Sequence, residues 1–158
     1  MKDRKAKTAA DFVKELEADE EYVARMAHKK EAAAELERVC AADEGTLVQD
    51  LRAGGFAVSS VWDFVNGSGA PAPAVATLVR HLDLPHHPRI WDGIVRALST
   101  QEARAGAFSR LTQLYGAETD PARRWVLANA LGSMAKFKEV ADLPDIQRYK
   151  DLFDNHAG

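Results

Sequence analysis

Four residues that can bind metals or move protons lie close together along the chain. They are His81, Asp83, His86 and His87, and imidazole and carboxylate groups are common ligands of transition metals. Their spacing matches no established ligand motif, and the His-His pair stands between two prolines that favour a loop. We therefore predict an exposed loop between two helices at this point, with a metal site as the alternative.

Cys40 is the only cysteine, so an intrachain disulfide is excluded, which fits a cytoplasmic protein. It lies at helical spacing from Leu36 and Leu47, and this predicts a buried core thiol rather than a reactive one. The sequence contains no nucleophile-elbow pattern, no Gly-rich phosphate loop and no paired zinc ligands. We expect neither enzymatic activity nor a cofactor.

Composition narrows the class of protein further. Of the 158 residues, 46% are apolar, which is too many for a disordered chain, and the formal net charge of −3 argues against a dedicated nucleic-acid binder. No signal peptide and no run of about 18 apolar residues is found, so no membrane association is expected. The basic run at 2–7 is predicted to be a solvated tail.

The chain is predicted to be all-α. Ala and Leu dominate the apolar residues, and Gly and Pro cut the chain into pieces of helical length. Capping-box patterns open at Thr8 and at Ser99, and an Asp-Pro pair at Asp120 marks a further helix start. Two short helices are expected at 136–142 and 144–153.

A long, charged helix is predicted from Glu20 to Leu51, before a Gly-Gly stop. Its apolar residues keep near-heptad spacing, although Lys29 and Asp43 interrupt the stripe, and Gly45 is a point where the helix can bend or divide. A stripe this thin must pack on the rest of the protein or on a second chain. A homodimer through this helix is therefore one expected partnership.

An offset of 33 residues relates parts of the second half of the chain to one another. It pairs Pro88 with Pro121, Leu78 with Leu111, Ala97 with Ala130 and Leu98 with Leu131. A repeat in this range with two helices per unit is typical of α-solenoids. We accordingly divide the chain into a charged helical segment, residues 1–58, packed on an array of helices, residues 59–158.

The segment from Asp120 to Gly132 resembles the first helix of HEAT and HEAT-like repeats. It has Asp-Pro, then Arg124, a run of small residues and a closing Ala-Leu-Gly. Trp125 departs from that pattern, and Trp91 stands where the Pro88 copy would need Arg. The resemblance covers about residues 59–150 and extends to small bacterial HEAT-like proteins of unassigned role. It implies a short right-handed α-solenoid of helical hairpins, preceded by a charged helix and a long helix.

In such arrays the second helices of successive hairpins line one concave wall that commonly binds partners. The polar residues expected on that wall are Thr77, Arg80, Ser109, Arg110 and Gln113. The same offset would extend the row to Asp142. An ordinary hydrated face is the alternative.

The three tryptophans are interpreted from their positions on the apolar stripes. Trp62 and Trp91 follow the stripes and are predicted to be core residues. Trp125 points away from its stripe, so it is expected either to pack against a neighbouring element, the favoured interpretation, or to contact a partner. We keep it among the candidate partner-binding residues.

These observations favour a non-enzymatic module that binds a protein partner, such as a HEAT-like adaptor, scaffold or inhibitor of the immunity type. The resemblance also admits a DNA-repair glycosylase, but the acidic chain weakens contacts to a phosphate backbone. A structural dimerisation module built on the long N-terminal helix is the other alternative.

Overall fold

The computed structural model describes residues 8–134, where eight helices and no strand are found, and this confirms the all-α prediction for that part of the chain. The helices are α1 (Ala9–Ala18), α2 (Glu20–Asp43), α3 (Gly45–Ala53), α4 (Trp62–Val65), α5 (Ala72–His81), α6 (Pro88–Ala97), α7 (Arg104–Ala117) and α8 (Pro121–Met134). The helices predicted at 136–142 and 144–153, the residue Asp142 and the basic run at 2–7 lie outside the described residues. Between residues 8 and 134, no helix combines the length and the apolar composition needed to cross a bilayer.

Side-chain caps begin two helices where the sequence predicted them. Thr8 Oγ1 accepts the backbone N–H of Asp11 at 3.3 Å, and the Asp11 carboxylate accepts the N–H of Thr8 at 3.1 Å, which completes the capping box of α1. Asp120 Oδ1 accepts the N–H of Arg123 at 2.9 Å at the start of α8. These bonds satisfy N–H groups that have no partner inside the helix.

The capping box predicted at Ser99 is wrong. The Ser99 hydroxyl donates to the carbonyl of Val95, which lies in the preceding helix, and helix α7 begins only at Arg104. Thr100 Oγ1 accepts the N–H of Ala103 at 3.2 Å in the turn before the helix, and α7 begins without a side-chain cap. A hydroxyl near a helix end can donate to a carbonyl of the preceding turn or accept an N–H of the following turn. The local sequence pattern does not determine which of these two bonds forms.

The chain divides into two compact units, the first ending at Val39 and the second beginning at Cys40. No residue of α1 is buried, and the one buried residue of α2 is Cys40. The predicted long helix is divided at Glu44, immediately before Gly45, and its last part becomes α3. The boundary between the two units lies earlier than the domain boundary predicted after residue 58. The reason is that α3 buries three apolar side chains in the core of the second unit, namely Leu47, Val48 and Leu51.

Two rows of helices make up the described part of the second unit. In the odd row α3 contacts α5 and α5 contacts α7, and in the even row α4 contacts α6 and α6 contacts α8. The rows meet where α5 touches α6 and where α7 touches α8. Four pairs of core residues 33 positions apart are fully buried on both sides, namely Ala74 and Ala107, Leu78 and Leu111, Ile94 and Leu127, and Leu98 and Leu131.

Two glycines allow the helices within each row to approach closely. A Cβ atom on Gly93 would lie 2.8 Å from Cγ1 of Val61, and one on Gly106 would lie 2.8 Å from Cγ1 of Val75. The first contact joins α6 to the start of α4, and the second joins α7 to α5. Both glycines therefore serve packing, because any larger side chain there would push two helices apart.

Candidate functional site

A chain of hydrogen bonds runs through the histidine cluster and joins three helices. His81 Nε2 lies 2.9 Å from Asp50 Oδ2, and His81 Nδ1 lies 3.0 Å from His86 Nε2. His86 Nδ1 in turn lies 3.0 Å from Asp43 Oδ2. The two imidazole rings are stacked, and the His81 side chain is completely buried. The chain thus links the end of α2 to α3, to α5 and to the loop before α6.

Hydrogen bonds occupy all four ring nitrogens of His81 and His86. Each ring nitrogen donates or accepts according to the tautomer of its ring. Arg80 adds a further bond, since its Nη2 lies 2.7 Å from Asp50 Oδ2. The two rings, the two carboxylates and Arg80 therefore form one continuous polar network.

Asp50 Oδ2 is hydrogen-bonded to both His81 and Arg80. The hydrogen bond from His81, and then the hydrogen bond from Arg80, keep the pKa of the Asp50 carboxyl below its ordinary value. A carboxylate that accepts two such bonds is stabilised in its charged form.

The loop predicted at His86 and His87 lies between α5 and α6, but the prediction that it is exposed is wrong for His86. The His81 ring is buried in α5, and the His86 ring is almost completely buried against Asp43, whose Oδ2 also accepts the backbone N–H of His87 at 3.0 Å. Asp83 does not join these residues and forms an ion pair with Arg110 instead. Within residues 8–134, no three His, Cys, Asp or Glu side chains come together in a geometry that could hold a metal ion.

Cys40 is buried, as predicted, and belongs to the core of the second unit. Its Sγ lies 3.5 Å from Nδ1 of His87, which also accepts the backbone N–H of Arg89 and so caps α6. Burial raises the pKa of the Cys40 thiol, and the charges of Asp43 and Glu44 act in the same direction, against that of Arg89. The thiol therefore stays protonated, whereas a cysteine nucleophile needs its pKa lowered.

The five polar residues predicted to bind a partner all lie on α5 or α7 of the odd row. Thr77 is half-buried, while Ser109 and Gln113 are exposed. Arg80 is 61% exposed and is held by Asp50. Arg110 pairs with Asp83 and also donates from Nη1 to Gln113 Oε1 at 3.1 Å, so both arginines are held in place by neighbouring residues.

A groove of about 520 Å³ lies between α5 and α7 beside these residues. Its floor consists of small and aliphatic side chains, and three charged residues stand around it. The lining residues are Ala72, Val75, Ala76, Val79, Arg80, Asp83, Glu102, Ala105 and Gly106. We call this feature the α5–α7 groove.

Trp125 lies on the even row and not beside the other five candidates. Half of its surface (50%) is exposed, so packing against a neighbouring element, the favoured interpretation, is only partial. It lines a second groove of about 300 Å³, the α6–α8 groove, together with Val65, Arg96, Ser99, Val126, Asn129 and Ser133. Trp91 is buried as predicted, with the Arg123 guanidinium 3.9 Å from its ring centre, whereas Trp62 is only partly buried.

Several residues of these sites were not identified from the sequence. Asp50 and Asn129 carry no motif, and only their neighbours in space reveal their roles. Asp43 did leave a signal, because it interrupts the apolar stripe of its helix at a position that faces the core. Glu44 is a similar case, since it is buried and its Oε2 accepts the N–H of Val61 at 3.2 Å.

The geometry thus contains a partly buried hydrogen-bond network and two surface grooves. Comparison of the chain with protein-family models, with curated proteins and with solved structures found no match.

Proposed function

We propose that this chain is a non-enzymatic protein-interaction module, a HEAT-like adaptor, scaffold or immunity-type inhibitor that binds a protein partner in the α5–α7 groove. The observation that carries the proposal is the groove itself, an open apolar channel with charged residues around it. A protein interface commonly has this anatomy, with an apolar centre and a polar rim.

The arrangement of the helices supports the repeat architecture within this proposal. The odd and even rows each stack successive helices, and two pairs of core residues 33 positions apart are fully buried in each row. Stacked helix pairs that share one core are the basis of an α-solenoid. In a right-handed array of this kind, the odd row would supply the concave wall and the even row the outer wall.

The floor of the groove is suited to receiving side chains from a partner. Ala72, Ala76 and Ala105 are exposed, and each ends at Cβ, so the floor is accessible along both helices. Gly106 brings α7 close to Val75 and keeps the floor shallow. Apolar side chains of a partner would displace water from this floor, which is the main favourable term in association.

The arginines beside the groove support specific recognition. Arg80 and Arg110 are held by Asp50 and Asp83, so less side-chain freedom is lost when a partner binds. Asp83 and Glu102 provide acidic groups along the same groove. A partner with both acidic and basic side chains around an apolar centre would therefore be complementary.

The test is to fill the groove without disturbing the core. Ala105→Trp places a large side chain on the floor, and Ala122→Trp, at an exposed alanine of α8, is the matched control. A photo-crosslinking residue at position 105 should capture a discrete partner in cells, whereas the same residue at 122 should not. The affinity of that partner should fall at least about tenfold in Ala105→Trp and stay unchanged in Ala122→Trp. A partner that binds Ala105→Trp as tightly as the native chain would refute the groove as its site.

A second candidate function, dimerisation through α1 and α2, is favoured by the exposed apolar residues of the first unit. These are Phe12, Val13, Val23, Met26, Leu36 and Val39. Apolar side chains grouped on one short segment mark an interaction surface. Sedimentation of the native chain should then show a dimer that Met26→Asp with Leu36→Asp dissociates, and Leu84→Asp, at an exposed leucine of the second unit, is the control. A native chain that sediments as a monomer would contradict this function.

A further inference from the structure

The α6–α8 groove has a geometry that matches an extended polypeptide. Trp125, Asn129 and Ser133 follow one another at four-residue intervals along α8 and line one side of it. Successive members are separated by about 6 Å along the helix axis, since each residue rises about 1.5 Å. Two residues of an extended chain span about 6.6 Å. A peptide lying along α8 would therefore present every second residue to one of these three side chains.

Asn129 has a side-chain oxygen that finds no partner among residues 8–134. Its Oδ1 is buried and accepts no hydrogen bond within this part of the chain, and the nearby Ser133 hydroxyl donates to the backbone carbonyl of Asn129 instead. A buried acceptor left unpaired costs free energy, so a rotation of the carboxamide that lets Oδ1 accept an N–H group of a ligand in the groove would be favourable. A carboxamide has both a donor and an acceptor, the same pair that a peptide group offers.

The flanking side chains define the chemistry of the peptide. The half-exposed indole of Trp125 offers a flat apolar surface at one end of the row. Arg96 is the one charged residue among the described residues that line the groove. Its Nε donates to Asp92 at 3.0 Å, and its side chain remains 44% exposed, so the guanidinium can also reach a ligand carboxylate.

We propose that the α6–α8 groove is a binding site for an extended, acidic peptide segment of a partner protein. In this arrangement the Asn129 carboxamide pairs with a backbone amide of the peptide, Trp125 covers an apolar side chain, and Arg96 pairs with an Asp or Glu. The inference does not depend on the α5–α7 groove, because it concerns the even row of helices and different residues. If experiment refutes binding in one groove, the proposal for the other groove still stands, because the two share no lining residue.

The experiment uses the full chain and a displayed library of random heptapeptides. Selection should enrich peptides that contain an acidic residue and an apolar residue two positions away. The affinity of an enriched peptide, measured by fluorescence polarisation, should fall at least about tenfold in each of Trp125→Ala, Asn129→Leu and Arg96→Gln. Gln49→Leu, an amide-to-leucine change at an exposed position of α3, is the matched control and should bind normally.

Four outcomes would overturn the proposal. They are a selection without enrichment, enrichment of basic peptides, unchanged affinity in the Trp125 and Asn129 variants, and stronger binding of a single-stranded oligonucleotide than of the peptide. A native dimer that Trp125→Ala dissociates would also overturn it, because a second copy of the chain would then cover the groove. Asn129→Leu changes a partly buried residue, so Trp125→Ala, at a half-exposed position, keeps the test valid if the former variant fails to fold.

Discussion

The first unit and the second unit are both helical, but their helices are stabilised in different ways. In the first unit α1 has a complete capping box and buries nothing, and the six large apolar side chains named above are exposed there. In the second unit, two large apolar residues of the described part are exposed, Leu84 and Trp125. Caps and residue spacing thus mark where a helix begins and ends. A hydrophobic core forms only where the apolar face of one helix packs against the apolar face of another.

The largest expected effect compares the same substitution in both units. Leu111 is completely buried, so Leu111→Ala should lower the free energy of unfolding by about 2–5 kcal/mol. Leu36 is 37% exposed, so Leu36→Ala should change it by no more than about 0.5 kcal/mol. Urea unfolding followed by far-ultraviolet circular dichroism reports the helices of both units, whereas tryptophan fluorescence would report only the second unit, which contains all three tryptophans. Equal losses would show that another chain covers α2.

A smaller effect is expected from two glycines in the even row. Gly93→Ala should lower the free energy of unfolding by about 1–3 kcal/mol, because the new methyl group would collide with Val61. Gly132 has open space around its Cβ position, so Gly132→Ala should raise stability by about 0.4–1 kcal/mol. Thermal unfolding of the two variants measures this contrast. A neutral Gly93→Ala would mean that α4 and α6 can separate freely.

The third prediction compares two aspartates whose pKa values are both lowered. Asp50 is held by His81 and Arg80, and Asp11 is held by the side chain and then the backbone of Thr8. A lowered pKa stabilises the folded state above the unfolded value of about 3.9, and this contribution is lost as the pH falls through the lower folded value.

Acid should therefore affect the two units differently. Below about pH 4, the urea midpoint of the second unit should fall in the native chain and fall less in Asp50→Asn, because the carboxylate stabilised by His81 and Arg80 is already absent. Protonation of Asp11 should reduce only the local helicity of α1, which NMR chemical shifts can follow. An identical pH profile for the native chain and Asp50→Asn would contradict the role assigned to the network.

The smallest effect concerns thiol reactivity at the boundary of the units. The buried Cys40 has a raised pKa, so it should react slowly with Ellman's reagent in the folded chain and rapidly in urea. Val39 is exposed, so a chain with Val39→Cys and Cys40→Ala should react faster, on the order of tenfold or more. Similar rates for both thiols would show that the end of α2 opens readily.

Local signals in the sequence were sufficient for the helices and for much of the core. The caps at Thr8 and Asp120 act over three residues, so no distant contact is needed to predict them. The buried pair Leu78 and Leu111 followed from helical spacing and from the 33-residue offset. The hydrogen bonds of Ser99 and Thr100 before α7 could not be predicted in this way, because both hydroxyls satisfy the same local pattern.

Only the tertiary structure decided which polar residues act together. Asp43 and Asp50 meet the histidines across more than 30 positions of sequence, and no spacing rule connects residues on α2, α3 and α5. The same holds for the exposure of Trp125, which depends on how closely α6 approaches α8. Helix formation is a local property of the backbone, whereas burial and hydrogen-bond pairing are set by the faces that meet when the helices pack.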